Sequence, residues 1–343
     1  MIQADFMKEE AKIRTQKKGN SGTLILDATC TPQNIEYPQD LNLLNKGRED
    51  LEGIINEISY AYNLKKPRMY RQNVRADYLA LAKCRKRNGK RIRKAIKKQL
   101  QYVRRDLRYI DEYLAQGIEF DARQFERIDV IRKVHEQHDY MYCNKTHTVP
   151  DRIVSISQPH IRPIVRGKTK APAEFGAKLD LSIENGFARV KKLSLDPYNE
   201  SDVLISAAEQ YYKRNGNYPE RILAEKIYRN RKNLAFCKLH GIRLSVPALG
   251  RPKKDPSVDK KTEYIDAVDR IEVERAFSLA KRSFGLGLIT TRLENTTRSS
   301  IVLSIIAMNV DHLTRFSFMR FFIVFSRLEC WTQFRVNFLT TNC

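Results

Sequence analysis

From Ile92 to Leu114 the apolar positions Ile92, Ile96, Leu100, Val103, Leu107, Ile110 and Leu114 recur at intervals of four, four, three, four, three and four. That spacing draws a continuous stripe along one helix face over about six turns. Gly117 ends the stripe, and Phe125, Ile128, Ile131 and Val134 begin a second one. The pair predicts an antiparallel helical hairpin within two helical stretches, 40–66 and 68–145. Ahead of it, Thr23-Leu24-Ile25-Leu26-Asp27-Ala28-Thr29 is apolar on both faces and predicts a central buried strand, with Asp27 at its C-terminal end.

Beyond the hairpin the character changes. Residues 150 to 175 are Pro-rich, extended and basic, which marks a boundary or a loop over a cleft. Alternating runs from Phe175 to Ile183 and from Phe187 to Leu195 flank Glu184-Asn185-Gly186, a strong β-hairpin signal. A helix from about Glu200 to Lys213 stops at Asn215-Gly216-Asn217, and Arg221 to Lys226 reads as a short strand closed by Glu225. Helix 233–240, strand 242–246, a helix through 270–281 and an apolar helix over 297–313 complete the order. Strand, helical insertion, hairpin, helix, strand, helix, strand and helix together predict an α/β fold, a mixed sheet flanked by helices. The aromatic stretch 316–343 carries Arg320 and Arg327 and falls short of a membrane span.

The formal charge of the 343 residues is +23. So much positive charge repels itself unless a polyanion neutralises it, which favours nucleic acid over an acidic membrane surface. Lys83, Arg85, Lys86, Arg87, Lys90 and Arg91 precede Lys94, Lys97, Lys98, Arg104, Arg105 and Arg108 on the first hairpin helix, a surface suited to a DNA duplex. The six cysteines lack metal-binding spacing and read as reduced thiols, and His135 and His138 read as part of a solvated helix face rather than a metal pair. The first twenty residues contain no apolar signal core, so the expected location is cytoplasmic.

Candidate chemistry lies in three acids. On the uninterrupted helix Arg270 to Lys281, Arg270, Glu274 and Lys281 fall at about 0°, 40° and 20°, a narrow strip on one face. Val273, Ala276, Phe277, Ala280 and Phe284 fill the adjoining arc, so the carboxylate stands at the edge of a buried face with a basic residue on either side. Ordinary i,i+4 pairing of Arg270 with Glu274 is the plainer account of the same spacing. Asp27 and Glu225 each close a buried strand, where an acid is costly unless it is paired or holds a cation, although a turn or capping role also fits Asp27.

Two acids at strand ends and one on a late helix resemble the catalytic set of the RNase H-like DDE transposases of bacterial insertion sequences. Leu26-Asp27-Ala28-Thr29 is similar to the family's first-acid strand, and Tyr37-Pro38-Gln39-Asp40-Leu41-Asn42-Leu43-Leu44-Asn45 to the segment after it. Arg162-Pro163-Ile164-Val165-Arg166-Gly167-Lys168 with Glu174-Phe175-Gly176-Ala177-Lys178 resembles another block, as does Lys226-Ile227-Tyr228-Arg229 with Leu249-Gly250-Arg251-Pro252. The Arg-x3-Glu-x6-Lys pattern at 270, 274 and 281 is similar to the signature around the family's third acid. Two positions depart from it: Glu225 stands where the family has Asp, and Ala267 where it has Tyr. The family also has a helical DNA-binding region ahead of its first acid, so a chain with Asp27 so early resembles a shortened copy.

The resemblance implies Asp27, Glu225 and Glu274 as catalytic residues and as ligands of two Mg²⁺ ions, with Mn²⁺ as a substitute. It implies DNA contacts by Arg270, Lys281, Arg162, Arg166, Lys168, Lys94, Lys97, Lys98, Arg104 and Arg105. The partners implied are double-stranded DNA, as terminal inverted repeats and target, and further copies of the chain assembled on it, in a nucleoid-associated and membrane-free setting. The expected division is a charged segment 1–20, the first strand of an RNase H-like catalytic domain at 21–45, a basic helical insertion at 46–150, the rest of that domain at 151–313 and an apolar tail at 314–343. The expected activity is metal-dependent DNA strand cleavage and transfer, reduced or lost through Glu225. The alternatives are a non-catalytic DNA-binding remnant and, lower, an RNA-binding helical protein.

Overall fold

The computed structural model describes residues 19–165, 173–247 and 260–340. The chain divides into two compact units, one made of 1–32, 177–291 and 295–343, the other of 33–176 with 292–294.

The first unit is built on a sheet. Strand β1 (Thr23–Pro32) lies between β3 (Ala173–Glu184) and β5 (Arg221–Leu223). Beyond β3 lies β4 (Phe187–Ser194), antiparallel to it, and beyond β5 lies β6 (Arg243–Ser245), parallel to it. The β3–β4 turn has Asn185 and Gly186 at φ of 54° and 81°, the left-handed pair that an Asn-Gly hairpin turn requires. Parallel neighbours need crossovers. Helix α5 (Val203–Asn215) leads into β5, and α6 (Arg231–Leu239) joins β5 to β6. Leu24 and Leu26 of β1 and Ile222 and Ala224 at β5 form a buried cluster with Leu204, Ala207, Ala208 and Tyr211 of α5 and Cys237 of α6.

Strand alternation turns the intervening residues, Thr23, Ile25, Asp27 and Thr29 on β1 and Arg221 and Leu223 on β5, to the opposite face. That face is covered by α7 (Lys260–Ser283), which buries Val273, Phe277 and Ala280 against it. A last helix, α8 (Glu294–Thr340), buries Ile301, Ile305 and Met308, and its backbone runs on through the aromatic stretch without a break. Among the described residues no helix is long and apolar enough to cross a membrane.

The second unit is helical. Helices α1 (Asp40–Ala61), α2 (Arg71–Ala82), α3 (Gly89–Ala115) and α4 (Ala122–Asn144) are four separate elements where the hydrophobic pattern read two helical stretches, the second folded into a hairpin at Gly117. Of the three breaks, 62–70, which contains Pro67, falls where the two stretches meet, 116–121 falls at Gly117, and 83–88 divides the second stretch where no break was read. A capping box between Asp121 and Gln124 starts α4. The stripe of α3 is buried at its centre, through Leu100, Val103, Leu107 and Ile110, and opens to solvent at Ile92 and Leu114. Strand β2 (Arg162–Val165) pairs antiparallel with Ala173–Gly176.

His135 and His138 are buried, so the solvated-face reading is corrected. His138 bonds the Val134 carbonyl through Nδ1 at 2.8 Å and stands 3.4 Å from Asp40 through Nε2. The i,i+3 spacing placed both rings on one helix face but could not tell that Asp40 of α1 and Leu100 of α3 meet them there. Cys84, Cys143 and Cys237 are free thiols.

Candidate active site

The α7-facing side of the sheet carries three levels of polar contact. At the first, β1 and β5 are in parallel register with Thr23 beside Arg221 and Ile25 beside Leu223. Arg221 donates from Nε to Thr23 Oγ1 at 2.8 Å, from Nη1 to Asp266 at 2.6 Å and from Nη2 to Asp269 at 2.6 Å. Arg243, on β6, donates to the same Asp266, from Nη2 at 3.0 Å. Two sheet arginines therefore hold the early turns of α7. Burial alone would raise the Asp266 carboxyl, but the bonds from Arg243, Ser245 and Arg221 outweigh it and hold it at about 2.

At the second level are the three acids. Continuing the register one two-residue step brings position 225 level with Asp27. One turn along α7 from Asp266 comes Arg270, whose Nη2 pairs with Glu274 Oε1 at 3.0 Å and whose Nη1 lies 3.6 Å from Glu225 Oε1. That Nη1 is buried and makes no hydrogen bond. Asp27 is 7% exposed, and its carboxyl is pushed up to about 7 by burial and then by the charge of Glu225. The Ala28 amide, which donates to it at 2.8 Å, and the charge of Arg270 act the other way. Glu225 and Glu274 are each half exposed.

At the third level Lys281 donates from Nζ to Thr29 Oγ1 at 2.8 Å. The three levels agree in length. Six residues of strand from Thr23 to Thr29 span about 20 Å, and fifteen of helix from Asp266 to Lys281 span about 22 Å.

Several expectations change in detail. Asp27 lies in the middle of β1, because the buried Thr29, Cys30 and Thr31 carry the strand on to Pro32. Thr31 satisfies its hydroxyl on the Ala177 carbonyl at 3.1 Å, which is how a polar residue continues a buried strand. Glu225 lies two residues past the end of β5 and caps the short turn Lys226–Tyr228. The strip of Arg270, Glu274 and Lys281 is real, and the plain i,i+4 pair within it is formed as well.

Two further acids lie near this level: Glu200 acts on Asp27 directly, and Asp180 is linked to it through Glu200 and Tyr228. Asp180, on β3, accepts from Tyr228 Oη at 2.9 Å and from Tyr198, and burial raises it to about 6 against those bonds. Glu200, paired with Lys178 at 2.7 Å, adds its charge to those acting on Asp27 and Asp180. The alternation of β3, which turns Asp180 inward, could have signalled Asp180, but not Glu200, which lies outside that strand.

The other basic candidates lie in the helical unit. Lys94 and Lys97 are exposed, Lys98 is half-buried and pairs with Asp77 at 2.7 Å, and the exposed Arg104 pairs with Asp139 at 3.0 Å. Arg105 is turned inward, 17% exposed, onto Asp106 at 2.7 Å. Arg162 bonds the carbonyls of Pro159 and Ile161. Arg166 and Lys168 lie outside the described residues.

Hard carboxylate oxygens are the donors that Mg²⁺ takes. As arranged they do not form its site, since Arg270 stands between Glu225 and Glu274. Among the described residues no group of three or more His, Cys, Asp or Glu is placed to hold a metal ion.

No curated protein matches the chain. Residues 222–311, the stretch that carries Glu225, Arg270, Glu274 and Lys281, match the family model described as Transposase DDE domain, and that match supports the identification of the chain as a DDE transposase.

Proposed function

We propose that the chain descends from, and acts as, an enzyme that cleaves and rejoins DNA strands at the ends of an insertion sequence, on an RNase H-like sheet, with Asp27, Glu225 and Glu274 as its acids. One observation carries this reading: Arg270 is ion-paired with both Glu225 and Glu274, and its charge and that of Glu225 both act on Asp27. Acids from the central strand, a neighbouring strand end and a late helix thus share one patch on one face of the sheet. A β-hairpin, a central first strand and the parallel run from β1 through β5 to β6, with helices on both faces, support the fold assignment.

The reaction class is phosphodiester hydrolysis followed by transesterification on double-stranded DNA, with Mg²⁺ as the cofactor and further copies of the chain as partners. Asp27, Glu225 and Glu274 would hold such an ion, and the chemistry it would supply is activation of the attacking oxygen and stabilisation of the leaving one. Lys281, at the sheet face beyond Asp27, and Lys94 and Lys97 on α3 supply positive charge for the phosphate backbone.

The test is nicking of supercoiled plasmid DNA in Mg²⁺ or Mn²⁺ by the full chain and by Asp27→Ala. Nicking that needs the metal and is lost in Asp27→Ala is the expected result. Nicking that survives either the substitution or a chelator overturns the assignment of these acids. The occupation of Glu225 and Glu274 by Arg270 favours a second reading, a DNA-binding remnant without cleavage. That reading predicts DNA binding that falls steeply with salt and no nicking in either metal.

A further inference from the structure

We propose that Arg270 is the built-in counter-cation of the acid patch, that it must let go of Glu225 before a divalent cation is held, and that the length of Glu225 is what closes this clasp. The proposal rests on the transposase reading of the same three acids and accounts for their failure to form a metal site as they stand.

Three observations carry it. The two contacts of Arg270 are unequal. With Glu274 it has an i,i+4 pair at 3.0 Å, whereas its Nη1 reaches Glu225 only to 3.6 Å, buried and without a hydrogen bond. Releasing Glu225 therefore costs Arg270 no hydrogen bond, and the guanidinium can turn while still attached to Glu274. Next, the position of Arg270 is imposed from outside the patch. Arg221 grips Asp266 and Asp269, and Arg243 grips Asp266, which fixes the helix one turn before Arg270. Last, the clasp depends on reach. An aspartate at 225 would stop about one C–C bond, roughly 1.5 Å, short of the present carboxylate and could not approach Nη1 as an ion pair.

A positive charge lodged between two carboxylates competes directly with a divalent cation for them. With Glu225 freed, Asp27 and Glu225 are adjacent oxygen donors at the same level of the sheet face, the type of ligand that Mg²⁺ and Mn²⁺ take.

The experiment measures Mn²⁺ binding to the full chain without DNA, from the electron paramagnetic resonance signal of the free ion. Thermal melts check that each variant is folded. Arg270→Gln is expected to bind Mn²⁺ at least about ten-fold more tightly than the unsubstituted chain, because a competing unit charge is gone. Arg270→Lys, which keeps the charge, is expected to remain close to the unsubstituted chain. Glu225→Asp, which leaves Arg270 in place but out of reach, is expected to gain affinity in the same direction. Asp27→Asn is expected to lose binding. Affinity that is unchanged or weaker in both Arg270→Gln and Glu225→Asp overturns the proposal, as does the absence of Mn²⁺ binding in every variant at millimolar concentration. Tighter Mn²⁺ binding in Arg270→Gln, together with no plasmid nicking at saturating Mn²⁺, would leave the counter-cation role standing and remove the transposase reading. Equal affinities with metal-dependent nicking would do the reverse.

Discussion

Arg221, the first residue of β5, donates to Asp266 on α7 at 2.6 Å, and Asp266 in turn is shared with Arg243 of β6. The acid is 4% exposed, so the contact fastens the helix to two adjacent strands from the inside. Everything further along α7, including Arg270 and Glu274, inherits its position from this point. The Asp266 carboxyl is held at about 2, below its ordinary 3.8, by Arg243, Ser245 and Arg221 against the opposing effect of burial. A depressed carboxyl contributes stability above its unfolded value and loses it as pH falls through the folded one. The contribution, about 2 kcal/mol, is therefore present from pH 4 upward and disappears toward pH 2. Asp266→Asn is expected to destabilise the chain by that order at pH 7 in urea denaturation, with the gap closing as the pH approaches 2. A constant gap across that range would show that the charge of Asp266 is not what holds α7.

Asp27 has the opposite sign. Its carboxyl is raised to about 7, first by burial and then by Glu225, so the folded chain binds the proton more tightly than the unfolded one. Stability is greatest below about pH 4 in this respect and declines as pH rises toward 7 and the buried group must ionise. With divalent cations removed by chelator, Asp27→Asn is expected to be more stable than the unsubstituted chain at pH 8, by about 4 kcal/mol, and no more stable at pH 4. Denaturation curves at the two pH values decide it. A gain of equal size at both would trace the effect to packing rather than to charge.

What the sequence made legible, and what it did not, follows from the distance over which each contact acts. The stripe of α3 and the Asn185-Gly186 turn are local, governed by helix and hairpin periodicity, and both appear as the pattern requires. The Arg270–Glu274 pair is local too, and was readable from i,i+4 spacing. Its extension to Glu225 was not, because nothing in a sequence tells which strand end will lie beneath a given helix turn. The clasp of Arg221, Asp266 and Arg243 is composed of ordinary charged residues 45 and 23 positions apart, and only the folded sheet joins them. The end of β1 was misplaced for a different reason. Thr29 and Thr31 look like the onset of a turn, yet both are buried. The RNase H-like resemblance pointed to the acids of the sheet unit, but it carried no information on Glu200, whose charge acts on Asp27, or on Asp180.

In the helical unit the same stripe contains positions of very different weight. Ile110 is fully buried in a cluster with Leu51, Ile55, Val103 and Ile131, whereas Ile92 at the open end of α3 is 36% exposed. Removing three carbons from a filled core forfeits transfer energy and leaves a cavity. Ile110→Ala is therefore expected to cost about 3 kcal/mol, and Ile92→Ala under about 1 kcal/mol. Chemical denaturation of the two variants tests this directly. Similar costs at both sites would mean that α3 is packed evenly along its length, contrary to the exposure of its ends.

The basic residues of α3 separate in the same way. Lys94 and Lys97 point to solvent, while Arg105 is committed to Asp106, which is fully buried and whose carboxyl burial raises to about 7 even with Arg105 beside it. Charges that meet phosphate displace counterions, and each such contact adds about 0.9 to the slope of log affinity against log salt. Replacing Lys94 and Lys97 together by alanine is expected to reduce that slope by up to about 1.8 on duplex DNA, with the melting temperature nearly unchanged. Arg105→Ala should behave otherwise. It strands the Asp106 carboxylate in the core, so the expected result is a loss of about 3 kcal/mol of stability at pH 8, shrinking at pH 5 as Asp106 takes up a proton, with the salt slope of the folded protein intact. Salt titrations of DNA binding beside melts at two pH values distinguish the cases. A shallower salt slope in folded Arg105→Ala would assign that arginine to DNA after all, and an unaltered slope in the double lysine variant would move the DNA contact away from this face of α3.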